Sequence, residues 1–301
     1  MEALKHFNPE TIVEWKTERH VDVIGDVFNY VFWTFKPCID GFVFCCPVML
    51  IDGTHVYGKY DIKLVIVIVT DGNGSILPLA FAIVVNESMK TWSLFSDHLH
   101  LHVIKGRRCV TLLLDRHHGI LSSVYNSPNW QAPFGFHHIC LRHLKANFLK
   151  KFKNVTLNNL LWAVANHCQE KEFLKKMEMI KKINSVTYVW LMKNYLDKWT
   201  LHRDESRRWG MLTTNSFESF NGLLKSARGL PVTAMVRVTY NQIVNRFVTR
   251  SKFVNQLVQQ KQQWILKPFK MPDKVHSTSR PTLHCPNCTL PTQWMGSRNA
   301  K

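Results

Sequence analysis

The chain has 301 residues, 46 % hydrophobic and 20 % charged, enough apolar material for a sizeable core, which excludes global disorder. Lys plus Arg outnumber Asp plus Glu by 39 to 21, a formal charge of +18, the electrostatic footprint of a protein that attracts polyanions. The longest strongly apolar run, Leu64 to Val69, is too short to span a membrane, and no apolar leader region follows Met1.

Taken in chain order, residues from about 10 to 40 read as helical, with Val13, Val21, Ile24, Val27 and Val31 on a rough apolar stripe. Phe42 to Ile51 reads as a buried strand leading into Asp52. Leu64–Thr70 and Ile76–Val85 are two further β-branched runs, joined by the hairpin signal Asp71-Gly72-Asn73-Gly74. The spacing predicts a three-strand antiparallel meander. A helix from about Met89 to His102 follows, and then the short strand Val110–Leu114, which stops at Asp115. A strand–helix–strand passage favours a parallel crossover, which would bring Asp115 beside Asp52 at one sheet edge.

From about Leu141 to Leu212 the pattern is helical, an insertion within the fold. A helix is expected from Phe217 to Ser226, stopped by Arg228-Gly229-Leu230-Pro231, and a long one from about Thr233 to Leu266. The expected parts are a helical N-terminal segment (1–40), a core (41–140), the insertion (141–212), a helical completion of the core (213–267) and a disordered tail (268–301) rich in Pro, Ser and Thr.

Three acids carry the chemical signal: Asp52 in Ile51-Asp52-Gly53-Thr54-His55, Asp115 in Leu114-Asp115-Arg116-His117-His118-Gly119, and Glu218 in Asn215-Ser216-Phe217-Glu218. Three converging carboxylates can hold two divalent ions, Mg²⁺ or Mn²⁺, and two such ions can cut and rejoin a phosphodiester. Each acid also has a structural reading. Asp52-Gly53 can open a turn, Asp115 can cap a helix starting near His118, and Asn215-x-x-Glu218 fits a capping box.

The words Ile51-Asp52-Gly53-Thr54-His55, Gly58-Lys59-Tyr60, Leu77-Pro78-Leu79-Ala80-Phe81-Ala82, Asp115-Arg116-His117-His118-Gly119-Ile120, Cys140-Leu141-Arg142-His143 and Thr214-Asn215-Ser216-Phe217-Glu218-Ser219-Phe220-Asn221 occur in that order. Together they resemble the catalytic domain of plant Mutator-like element transposases, over about Asp26 to Arg250. The resemblance implies an α/β, RNase H-like mixed sheet with an all-helical insertion and a helical C-terminal part. It implies a DDE transposase using Mg²⁺ or Mn²⁺, with catalysis and metal binding at Asp52, Asp115 and Glu218, and a supporting role for Cys140 and His143. DNA as partner, a homo-oligomer and a nuclear location follow from the same resemblance. The pattern departs at Asp61-Ile62, where a glycine-containing turn is common. No zinc-type DNA-binding block precedes the core and no complete zinc knuckle follows it. A domesticated, catalytically silent DNA-binding or regulatory protein is therefore the alternative, and a simple nuclease of the same fold a third.

Cys140-x-x-His143 supplies two zinc ligands, short of a tetrahedral site, and Cys285-Pro286-Asn287-Cys288 is half of one; the remaining cysteines are expected as free thiols. His117, His118, His137 and His138 are expected at the surface or beside the site. For phosphate contacts the candidates nearest the acids are Lys145, Arg203, Arg207, Arg208, Lys225 and Arg228, with Trp209 as a base-stacking candidate.

Overall fold

A computed structural model describes residues 5–6, 8–19, 25–57, 62–213, 220, 222, 224–225 and 227–259. Its centre is a seven-stranded mixed sheet built from β1 (Ile12–Arg19), β2 (Asp26–Thr34), β3 (Val48–His55), β4 (Lys63–Thr70), β5 (Ile76–Val84), β6 (Val110–Leu114) and β7 (Gly135–Ile139), in the order β1-β2-β5-β4-β3-β6-β7. The expected meander is present as the antiparallel pairs β3–β4 and β4–β5. At the hairpin turn Asp71 Oδ1 accepts from the backbone N–H of Asn73 and Ser75, and Gly74 takes φ +78°, a left-handed value that glycine adopts without a Cβ penalty. β6 pairs parallel with β3, and β7 parallel with β6.

The N-terminal expectation is corrected. Ile12–Arg19 and Asp26–Thr34 form two antiparallel strands, not a helix, and helix follows them in α1 (Lys36–Phe42), with Pro37 in its first turn. The reason lies in composition: Val27, Phe28, Tyr30, Val31, Phe32 and Trp33 are β-branched or aromatic and fit a pleated surface. β2 is also interior to the sheet and buried on both faces, so its apolar run has no strand period to read. The strand expected from Phe42 begins only at Val48 and runs on to His55, which puts Asp52 within the strand.

One sheet face packs Met49, Ile51, Val65 and Leu114 under α2 (Met89–His98), its π-helical extension Leu99–Ile104, and α3 (His118–Asn126). The other packs Val48, Leu50, Ile66 and Leu113 against the long α8 (Val232–Gln259). A separate core holds the helical unit of α4 (Leu141–Phe152), α5 (Val155–Ala165), α6 (Glu170–Ile183) and α7 (Ser185–Lys193), closed by Trp199. The backbone N–H of Leu141 donates to the Leu212 carbonyl at 2.8 Å, so the chain leaves and re-enters this unit at one point. Among the described residues no helix is long and apolar enough to cross a membrane. Cys38, Cys45, Cys46, Cys140 and Cys168 are free thiols; Cys109, partly exposed at the start of β6, is disulfide-bonded and corrects the expectation of free thiols there.

Candidate active site

The register of β3 against β6 runs Val48↔Thr111, Met49↔Leu112, Leu50↔Leu113. Two residues further on, the same register sets Asp52 opposite Asp115. Strand alternation puts the Asp52 side chain on the face of Leu50, the α8 side, while Asp115 directly follows the end of β6. Asp52 Oδ1 accepts from the Gly53 N–H at 3.0 Å, and Asp115 Oδ1 accepts from the Arg116 N–H at 2.5 Å. Asp115 does not cap α3. That position is His117, whose Nδ1 accepts from the Gly119 N–H at 3.3 Å. The Asp115 carboxylate thus stays available to the cleft.

The next turn of chain brings cations. Cys140, fully buried, precedes α4, and its N–H donates to the Leu114 carbonyl at 2.8 Å, pinning the start of α4 to the end of β6. From α4, Arg142 Nη2 reaches Asp52 Oδ2 at 3.3 Å and His143 Nδ1 lies 3.5 Å from Asp115 Oδ1. Burial lowers the His143 pKa, but its hydrogen bond to the Cys140 side chain and the charges of Asp115 and Asp52 outweigh that and hold it above the usual histidine value. Burial raises the Asp52 carboxyl, and the negative charge of Asp115 adds to this against His143 and Arg142. The Asp52 side chain is 13 % exposed and that of Asp115 45 %, so Asp115 is the more open to a ligand.

Both aspartates and His143 line one cleft of about 230 Å³, with Gly53, His55, Lys63, Glu87, Trp92 and His117. Glu87, between β5 and α2, went unread in the sequence. It forms an ion pair with Lys63, and its Oε1 would be 3.6 Å from a Cβ built on Gly53, so the bare backbone at Gly53 admits it to the cleft. A carboxylate two residues beyond the apolar run Ile76–Val85 was the available signal.

Arg228 reaches the same sheet face as Asp52, donating from Nη1 to Thr54 Oγ1 at 2.8 Å. Lys145 lies at the edge of the helical unit with Nζ 5.2 Å from the Trp162 ring, Lys225 is exposed, and Arg203 is half exposed beside Glu170. Arg207 stacks on Phe136 at 3.8 Å and pairs with Glu205. Arg208 is corrected as a phosphate contact: it is fully buried, donates to Asp204 Oδ2 at 3.0 Å and to the Thr200 carbonyl, and holds the helical unit together. Trp209 packs against the core, and His137 and His138 are buried, not superficial. Glu218, Cys285 and Cys288 lie outside the described residues. Phe220, two residues beyond Glu218, is buried in the core on the face of Asp52, 6.4 Å from the ring of Phe81.

Residues 48–147 match the family model of the MULE transposase domain. Over that segment the chain is similar to the MULE transposase domain. The matched segment begins with β3, contains both aspartates and ends within α4, just past Cys140 and His143. No curated protein matches the chain. The helical unit and α8 lie mostly or wholly beyond the matched segment.

Proposed function

We propose that this protein is a DDE-type transposase catalytic domain that cleaves DNA strands and transfers the freed 3′-hydroxyl in the nucleus. The observation that carries the reading is the placement of Asp52 in β3 and of Asp115 just past the end of the neighbouring parallel strand β6, both lining one cleft inside the MULE-matched segment. Metal sites on such sheets favour the carboxyl ends of parallel strands.

The donor set suits Mg²⁺ or Mn²⁺, which take hard carboxylate oxygens. Burial and the Asp115 charge both oppose ionisation of Asp52, a conflict that a bound cation would relieve. Among the described residues no group of three or more His, Cys, Asp or Glu is arranged to hold a metal ion, so the pair needs a further donor. Glu218 is that donor in this reading, carried by the segment anchored at Phe220. The ions, when bound, would activate the attacking oxygen and stabilise the leaving one. The chain's own residues do the rest. Asp52 presents oxygens from β3 and Asp115 from the end of β6, and the Gly53 and Arg116 N–H groups fix the two carboxylates in place. His143, held by Cys140, stands beside Asp115 with its pKa raised by that hydrogen bond and the two carboxylates, and Arg228 offers a cation on the face where a phosphate would lie.

One observation favours a second reading, a catalytically silent DNA-binding protein. Arg142 already gives Asp52 a cationic neighbour, and His143, a cation when protonated, stands beside Asp115, so the site's own residues can offset the two carboxylates. Supercoiled plasmid with Mn²⁺ separates the two. Nicking or strand joining lost in Asp115→Ala, with DNA affinity retained, supports the enzyme. A folded wild type that binds plasmid and leaves it intact supports the silent protein.

A further inference from the structure

The helical segment 141–212 holds 15 Lys and Arg against 6 Asp and Glu, half of the chain's whole excess in under a quarter of its length. Besides Arg142 and His143, one place in it meets the residue next to Asp115. Arg116 follows Asp115 directly, and its guanidinium lies over the indole of Trp190 on α7, 5.4 Å from the ring centroid. Lys151 of α4 lies over the same ring at 5.8 Å. Phe148 and Phe152 hold the ring edge-on, at 5.8 and 5.6 Å. Among the described residues neither Arg116 nor Lys151 makes an ion pair. Burial lowers the Arg116 pKa, with the Asp115 charge opposing it. Two cations on one indole repel each other, and the ring's quadrupole offsets only part of that. An anion placed between them would offset the rest.

We propose that Arg116 and Lys151, held over Trp190, form a phosphate-binding station that takes the DNA backbone as it leaves the Asp52–Asp115 cleft and crosses onto the helical unit. The proposal rests on the DNA-cleaving reading above and adds the path of the strand. Arg116 is its pivot: the backbone N–H holds the Asp115 carboxylate, while the side chain faces the insertion. The contact is with phosphate, so it carries no base preference and is sensitive to salt.

The test is fluorescence anisotropy of the full chain with a short labelled DNA duplex across a salt series. Removing both charges, Arg116→Gln with Lys151→Gln, is expected to weaken binding about 3- to 10-fold and to flatten the slope of log K against log salt by about 1 to 2. Lys151→Gln alone, an exposed position where folding is not at stake, should flatten it by about 1. The control Lys171→Gln with Lys175→Gln removes the same charge from exposed positions on α6 and should change the slope less. Equal effects of the two pairs would overturn the station and leave diffuse attraction. A wild type that binds no duplex at low salt would instead overturn the DNA reading itself.

Discussion

Arg142 Nη2 lies 3.3 Å from Asp52 Oδ2, so the most buried acid of the cleft shares its outer oxygen with an arginine from the first helix of the insertion. A cation arriving at Asp52 must compete with that guanidinium. Arg142→Gln is therefore expected to tighten Mn²⁺ binding about 5-fold, matching the roughly 1 kcal/mol that a partly exposed ion pair contributes. Calorimetry reads it. Weaker binding in the variant would mean that Arg142 supports the metal site.

Gly119 has no room for a side chain. A Cβ there would be 2.5 Å from the Glu87 carbonyl and 3.2 Å from Trp92 Cδ1. Gly119→Ala must push α3 away from the β5–α2 junction, which lines the cleft. A loss of about 1–3 kcal/mol in stability is expected by urea unfolding. Wild-type stability in this variant would show that the two segments separate freely.

Burial pushes His137 down to about 4 and His138 to about 2, with Lys198 acting on both and Arg208 on His138. His138 Nδ1 faces the Asp197 carbonyl at 3.0 Å, which the neutral ring satisfies as a donor. Both folded values lie below the unfolded value of about 6.5, so the unfolded chain binds more protons. The stability from keeping these rings neutral is complete above about pH 6.5 and declines as pH falls toward 4. The urea midpoint should drop between pH 7 and pH 5, and drop less in His137→Gln with His138→Gln. An identical drop in the variant would assign the acid sensitivity elsewhere.

Asp204 and Arg208 form a buried ion pair, 3.0 Å apart, and the guanidinium also meets the Thr200 carbonyl. Asp204→Ala strands a buried charge and is expected to cost about 3–5 kcal/mol. Adding Arg208→Met should restore part of it, and the double variant should still bind DNA. A double variant that folds but loses DNA affinity would return Arg208 to the phosphate-contacting residues.

The meander and the two aspartates were legible because each apolar run ends at a turn signal or an acid, and the crossover rule then fixes their neighbourhood. β2 was not, because an interior strand buried on both faces shows no alternation and its valines also fit a helical stripe; β1, the mostly exposed edge strand Ile12–Arg19, has too few apolar residues to show a strand period. β7 was missed for a different reason. It is five residues long and contains two histidines, which look polar in sequence but are buried and neutral in place. Glu87 could be marked as an acid just past the apolar run Ile76–Val85, but its entry into the cleft depends on the bare side of Gly53, which no local pattern carries. Arg208 stands in a run of charges that reads as solvated, yet Asp204 four residues earlier marks the buried pair.

The central claim is that Asp52 and Asp115 jointly hold divalent metal. Calorimetric titration of Mn²⁺ into the wild type, Asp52→Ala and Asp115→Ala tests it most directly. The account predicts saturable binding in the wild type and its loss in both variants. Binding unchanged by either substitution, or a folded wild type that takes up no Mn²⁺ even with DNA present, would contradict it.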